Sequence, residues 1–164
     1  MATDVSGRFV KNSINMKLWK GPVIDLGSGG YSNYYKPHFG TEKYVRLDLE
    51  AQPNNGTDII ADILDMPQIP SDNYGVVLLC ETLEHVNNPF KAFKEAARIL
   101  RPGGLFICTT VACWTEHKHP KDYWRFLPDG LRYLCETVGL NIYNLEMFPN
   151  DAQSPAHCSV AAIK

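Results

Sequence analysis

The stretch Val23–Tyr31, Val-Ile-Asp-Leu-Gly-Ser-Gly-Gly-Tyr, constrains this chain more than any other. Val23 to Leu26 is an apolar run broken only by Asp25, and it follows Gly21-Pro22, as a buried strand of a parallel sheet does. Gly27, Gly29 and Gly30 come next. Glycine has no Cβ, so a strand that ends in such a turn can bring bare backbone against a ligand. In an open α/β sheet, ligands bind beyond the carboxyl ends of the strands. The stretch therefore predicts a nucleotide-like ligand lying over Gly27, Gly29 and Gly30.

The dinucleotide fingerprint is G-x-G-x-x-G/A. Gly27 and Gly29 satisfy it, but its third position is Ser32. Asp25 sits in the strand end, two residues before the first glycine. A carboxylate there repels a phosphate and favours a cation or an ammonium. Asp-x-Gly-x-Gly resembles motif I of the class I S-adenosylmethionine-dependent methyltransferases. Their cofactor carries an amino group, a sulfonium and a ribose, and no phosphate. The third glycine of the longer form of that motif falls at Tyr31, with Gly30 beside it.

Lys43 to Glu50 alternates apolar and polar residues and reads as a second strand ending in Asp48. An acidic residue about twenty positions past the glycine loop accepts hydrogen bonds from ribose hydroxyls. Both the nicotinamide and the methyl-donor readings use such a residue, and Leu49 would lie against the adenine. Thr57 to Asp62 reads as a third strand. The methyltransferase resemblance implies that Asp62 meets the adenine amino group, with backbone contact from Ile63. Tyr74 to Cys80 is the most apolar run and reads as the central strand. Asp-Asn-Tyr-Gly-Val-Val-Leu-Leu-Cys-Glu-Thr-Leu-Glu-His-Val resembles motif IV of the small methyltransferases related to the ubiquinone and menaquinone C-methyltransferases (the type 11 group). In that resemblance Cys80 and Glu81 face the methionine part of the cofactor. The expected cofactor residues are thus Asp25, Gly27, Ser28, Gly29, Asp48, Leu49, Asp62, Ile63, Cys80 and Glu81. Glu84 and His85 read as local hydrogen-bonding and packing residues.

The remaining elements complete an expected α/β architecture. Val5, Phe9, Ile14, Met16, Leu18 and Trp19 form an imperfect helical stripe near the N-terminus. Asn88-Pro89 caps a helix whose core face is Phe90, Phe93, Ala96, Ala97 and Leu100, stopped by Arg101-Pro102-Gly103-Gly104. Leu105 to Thr110 reads as the fifth strand, Pro128 to Val138 as the last helix, and Leu140–Phe148 and His157–Ile163 as two final strands. Pro149, Asn150, Asp151 and Pro155 mark the loop between those strands, and His157 reads as structural. The expected fold is a Rossmann-like, doubly wound, mostly parallel seven-stranded sheet ending in an antiparallel strand pair, with helices on both faces. A chain of 164 residues suits one domain, with residues 1–20 as an N-terminal helix and 21–164 as the core.

Val111 to Phe126 leaves the carboxyl end of the fifth strand and is locally basic and aromatic. It is expected to overhang the cofactor crevice and to supply acceptor contacts. Pro-Lys-Asp-Tyr-Trp-Arg-Phe-Leu-Pro-Asp-Gly-Leu resembles a segment of methyltransferases of cell-surface carbohydrate biosynthesis, which implies a sugar-derived substrate. Lys118, Lys121 and Arg125 would suit an anionic group on it. His117, His119 and Glu81 are the candidates for a general base, needed only if the acceptor must lose a proton early. Cys113, His117 and His119 raise the question of a metal, but no second cluster completes a tetrahedral set, so no metal is expected.

A net charge of −2 gives no electrostatic case for nucleic-acid binding. No apolar run reaches the length of a membrane span. Five scattered cysteines, Cys80, Cys108, Cys113, Cys135 and Cys158, suggest reduced thiols in a cytoplasmic protein. The expected activity is methyl transfer from S-adenosylmethionine to a small molecule. The alternatives are a non-catalytic S-adenosylmethionine-binding module acting with a partner and a nicotinamide oxidoreductase. With no added substrate-binding domain, an oligomer or protein partner is expected to complete the pocket.

Overall fold

In the computed structural model, residues 4–15, 19–29, 34–40, 42–52, 56–148 and 156–164 are described. The expectations placed on Met16, Leu18, Gly30, Tyr31, Ser32, Pro149, Asn150, Asp151 and Pro155 lie outside these residues.

Seven strands form one sheet: β1 (Val23–Leu26), β2 (Tyr44–Asp48), β3 (Ile59–Ile60), β4 (Tyr74–Cys80), β5 (Leu100–Cys113), β6 (Asn141–Phe148) and β7 (Ala156–Ile163). Their order is β3-β2-β1-β4-β5-β7-β6. The first five are parallel, and β7 is antiparallel to both β5 and β6. The order reverses between β1 and β4, which opens a crevice at their carboxyl ends. Both strands are buried throughout, as their near-continuous apolar sequences require.

Three helices, α1 (Asp4–Asn15), α2 (Pro89–Ile99) and α3 (Pro128–Thr137), cover the sheet. On one face α2 and α3 bury Phe93, Ala96, Leu131 and Leu134 with Leu26, Leu79 and Phe106. On the other, Phe9, Val10 and Ile14 of α1 pack with Val23, Val76, Leu78 and Ile107. The Asn88 side chain accepts from Lys91 N at 3.0 Å, and Pro89 follows at the first helical position, the start expected from the sequence. No helix among the described residues is long and apolar enough to cross a membrane.

Three local expectations are corrected. The third strand is only Ile59–Ile60, because Asp58 turns its carboxylate onto Arg46 N and Nε, at 2.8 and 2.9 Å, and Asp62 closes a turn by accepting from Leu64 N at 2.9 Å. β5 starts at Leu100, not Leu105, since Leu100 pairs with Tyr74. Its Gly103-Gly104 kink is held by Gly103 N donating to Lys164 O and Lys164 N donating to Gly104 O, at 2.9 and 3.2 Å. Phe90 does not join the core face. It is 51% exposed, with its ring edge-on to Tyr133 of α3, and Ala92 takes a buried place instead.

Candidate functional site

A cavity of about 710 Å³ opens at the carboxyl ends of β1, β2 and β4. That size lies within the roughly 300–1,000 Å³ of small-molecule sites. All ten residues named above for the cofactor line it: Asp25, Gly27, Ser28, Gly29, Asp48, Leu49, Asp62, Ile63, Cys80 and Glu81.

The wall nearest β1 is made largely of backbone. Gly27 N and Ser28 N both donate to Leu47 O, at 2.9 and 3.1 Å, so the turn is stitched to β2. Asp48 Oδ2 accepts from Gly29 N at 2.6 Å, which fixes the acid against the loop. The two glycines serve different ends. Gly27 has φ +74°, and a Cβ there would sit 2.3 Å from Thr82 Cγ2, so the strand ends could not close. Gly29 has φ +52°, and among the described residues, its chain neighbours aside, no atom lies within 4 Å of where its Cβ would point. Ser28 Oγ is buried and has no hydrogen-bond partner among the described residues. An open glycine face, a fixed acid and an orphaned hydroxyl suit a ribose-bearing ligand, and among the described residues this wall offers no basic side chain for a phosphate.

Asp25 is 3% exposed and accepts from Tyr44 Oη at 2.7 Å. The register places Tyr44 opposite Val23, so its ring shares a face of the sheet with Asp25. Burial raises the Asp25 carboxyl to about 7; the Tyr44 hydrogen bond opposes this and the nearby Asp48 adds to it. A buried acid poised there gains from a cationic neighbour. Glu81 follows β4 with φ +51°, an uncommon conformation for a residue with a side chain. It is held by its N donating to Thr109 O and by its Oε1 accepting from Thr109 Oγ1, both at 2.8 Å, with His157 Nδ1 3.2 Å away.

The opposite wall is the segment after β5. Lys118, His119, Pro120, Lys121 and Tyr123 reach the cavity from it. It has no regular secondary structure, and side chains hold its shape. Arg125 grips Asp122 with Nη1 on Oδ1 and Nη2 on Oδ2. That fork, with burial opposing, holds the Asp122 carboxyl well below the ordinary carboxylate range. Tyr123 N donates to Glu84 O and Trp124 Nε1 to Val86 O, both at 2.8 Å. His85 Nδ1 meets Lys121 O at 2.6 Å. Arg125 is thus committed to the loop, which leaves Lys118 and Lys121 as the cations at the cavity.

Of the base candidates, Glu81 and His119 line the cavity and His117 does not. His117 turns instead onto Glu84, with Nε2 3.8 Å from Oε1. Glu84 is fully buried. Burial pushes its carboxyl up, but the facing His117, the backbone and Thr110 outweigh that and hold it below its ordinary value. Glu84, His85 and His117 offer ligand atoms within 4.8 Å of one another, a different set from Cys113, His117 and His119. Sequence reading missed Tyr44 beneath Asp25, Thr82 against Gly27 and His157 beside Glu81. Each is an ordinary strand or turn residue whose partner is distant in the chain, so spacing carries no trace of it.

Residues 24–108 match the family model of a methyltransferase domain. A ubiquinone biosynthesis O-methyltransferase from Maricaulis maris is 38% identical over 53 residues, which cover 32% of this chain and 20% of that relative. The match thus spans about a fifth of that protein's length. Among solved structures, the Burkholderia thailandensis 1,6-didemethyltoxoflavin-N1-methyltransferase, with bound 1,6-didemethyltoxoflavin and S-adenosylhomocysteine, has a TM-score of 0.76 at 15% identity, covering 98% of this chain and 79% of that chain. A chain from the complex between the Haloferax volcanii Trm112 methyltransferase activator and its partner has a TM-score of 0.67 at 16% identity, covering 99% of both. At such identities the structural likenesses speak for the fold.

Proposed function

This chain belongs to the type 11 family of S-adenosylmethionine-dependent methyltransferase domains, and from that premise we propose that it moves a methyl group onto a small-molecule acceptor held beneath the segment after β5. The observation that carries this reading is Asp48 tied to Gly29 across an open glycine face. The bound cofactor supplies a methyl group on a positively charged sulfonium.

Each residue then has a task. Asp48 accepts from the ribose hydroxyls. Leu49 and Ile63 flank the adenine, and Asp62 accepts from its amino group. Asp25 lies nearest the cationic end, with Cys80 and Glu81 along the methionine part. Methyl transfer is driven by the donor, so the protein's share is orientation and exclusion of water. Glu81 and His119 stand at the cavity to take a proton from the acceptor; His117 reaches it only through Glu84 and His85. Lys118 and Lys121 favour an anionic acceptor, and the likeness over Pro120–Leu131 favours a sugar-derived one.

A second reading, a cofactor-binding module that acts with a protein partner, draws on the fold shared with a chain from an activator complex. Five free cysteines favour the cytoplasm as the working compartment. A thermal-shift series with S-adenosylmethionine, S-adenosylhomocysteine and NAD tests the premise of both. The first two should raise Tm by several degrees and NAD should leave it unchanged. A shift with NAD alone would overturn the assignment. Formation of S-adenosylhomocysteine with a broad acceptor panel then separates enzyme from binder.

A further inference from the structure

We propose that Glu84, His85 and His117 bind one divalent transition-metal ion at the acceptor end of the cavity. The ion site stands on its own geometry; its use toward the acceptor rests on the methyl transfer proposed above.

Glu84 carries the argument. Its side chain is fully buried at the foot of the segment after β5. One oxygen, Oε2, accepts from Thr110 Oγ1 at 2.8 Å. The other, Oε1, is buried without a hydrogen-bond partner. A buried carboxylate oxygen without a hydrogen bond costs on the order of 1–3 kcal/mol or more, so a positive partner beside it is favoured. The groups facing that oxygen are His85 Nε2 at 3.9 Å and His117 Nε2 at 3.8 Å. Both distances are too long for hydrogen bonds. They are close to the ~3.4 Å that separates ligands about 2.1 Å from a tetrahedral ion.

Both imidazoles are also set in the tautomer a metal needs. A carbonyl oxygen can only accept, so the 2.6 Å contact of His85 Nδ1 with Lys121 O places the proton on Nδ1. The 3.2 Å contact of His117 Nδ1 with Thr115 O does the same. In each neutral ring the lone pair is then on Nε2, toward Glu84. Ligating histidines are held in this way, by a carbonyl or carboxylate behind the ring. Asp122 Oδ2, 3.3 Å from His117 Nδ1, reinforces it. Two imidazoles and one carboxylate form a three-ligand set suited to zinc, cobalt or iron(II), with positions left over for water or substrate. His85 lines the cavity, so the ion would stand at its wall. There an oxygen of the acceptor could complete the coordination. His119, whose ring is 5.7 Å from that of His85, does not bring a ligand atom into the set.

The test is a cobalt(II) titration of untagged, metal-stripped full-length protein, read by equilibrium dialysis and by visible d–d absorption. Calorimetry with S-adenosylhomocysteine runs alongside on the same samples. One ion should bind per chain, with the strong visible bands of a four-coordinate site. Glu84→Gln and His117→Ala should each weaken it more than ~100-fold, beyond what loss of a supporting contact does, while S-adenosylhomocysteine still binds. His117 is partly exposed, so its replacement leaves the core intact. Uptake below a tenth of an equivalent by the wild type overturns the proposal, as does cobalt affinity unchanged in His117→Ala. If cobalt binds as described but S-adenosylhomocysteine does not, the ion site stands and the methyl-transfer reading falls.

Discussion

The two walls of the cavity are built by different physics. The wall assigned above to the cofactor is strand ends and backbone: Gly27 and Ser28 on Leu47 O, Gly29 on Asp48, Asp25 on Tyr44. Its geometry follows from the sheet and cannot change without it. The facing wall, after β5, is an irregular segment pinned by side chains: Arg125 on Asp122, Trp124 on Val86, His85 on Lys121. Here a few substitutions could reshape the surface while the sheet stays as it is. A fixed wall suits a cofactor common to a family, and a replaceable wall suits an acceptor that differs between members.

The sharpest break of this contrast is within the fixed wall. Gly27→Ala should cost roughly 3 kcal/mol, because the new Cβ meets Thr82 in a backbone conformation that only glycine adopts freely. Gly29→Ala should cost only about 1 kcal/mol of stability, for φ alone, yet weaken the cofactor. Chemical denaturation of the two variants measures the difference; equal losses would mean the loop faces protein at both positions. Next comes the replaceable wall. Asp122→Ala should lower stability by about 2 kcal/mol through the lost Arg125 fork. Hydrogen exchange should quicken across residues 114–126, while S-adenosylhomocysteine affinity stays within about twofold. A large loss of affinity would show the walls to be coupled.

The smallest effect is on pH. With Asp25 raised to about 7, its contribution to stability is complete below the ordinary carboxylate range and is lost as pH rises through 7. A cationic ligand prefers the ionised form, so its affinity runs the other way. It should gain roughly eightfold between pH 6 and 7.5 if only that form binds. Asp25→Asn should flatten the profile. A profile equally steep in the variant would assign the titration to another group.

The same contrast explains what the sequence disclosed. The fixed wall was legible because local signals specify it: an apolar run into glycines, Asp48 ending an alternating strand, and Tyr74–Cys80 buried at every position. The Asn88-Pro89 start was legible for the same reason. Ile59–Ile60 was read too long because the pull of Arg46 on Asp58 comes from a neighbouring strand. Phe90 has helical spacing but sits in the first turn of α2, where its ring meets Tyr133 of α3 at the surface. The Glu84, His85 and His117 group was invisible, since an irregular segment brings its members together. No period or spacing rule describes such a path.

Calorimetry of S-adenosylhomocysteine with the wild type and Asp48→Ala tests the central claim most directly. Removing the carboxylate leaves ribose hydroxyls unpaired and frees Gly29 N, so affinity should fall by about 1–3 kcal/mol, roughly five- to 150-fold. Equal affinity in the two proteins would contradict the account, because the ligand would then lie somewhere other than over the glycine loop.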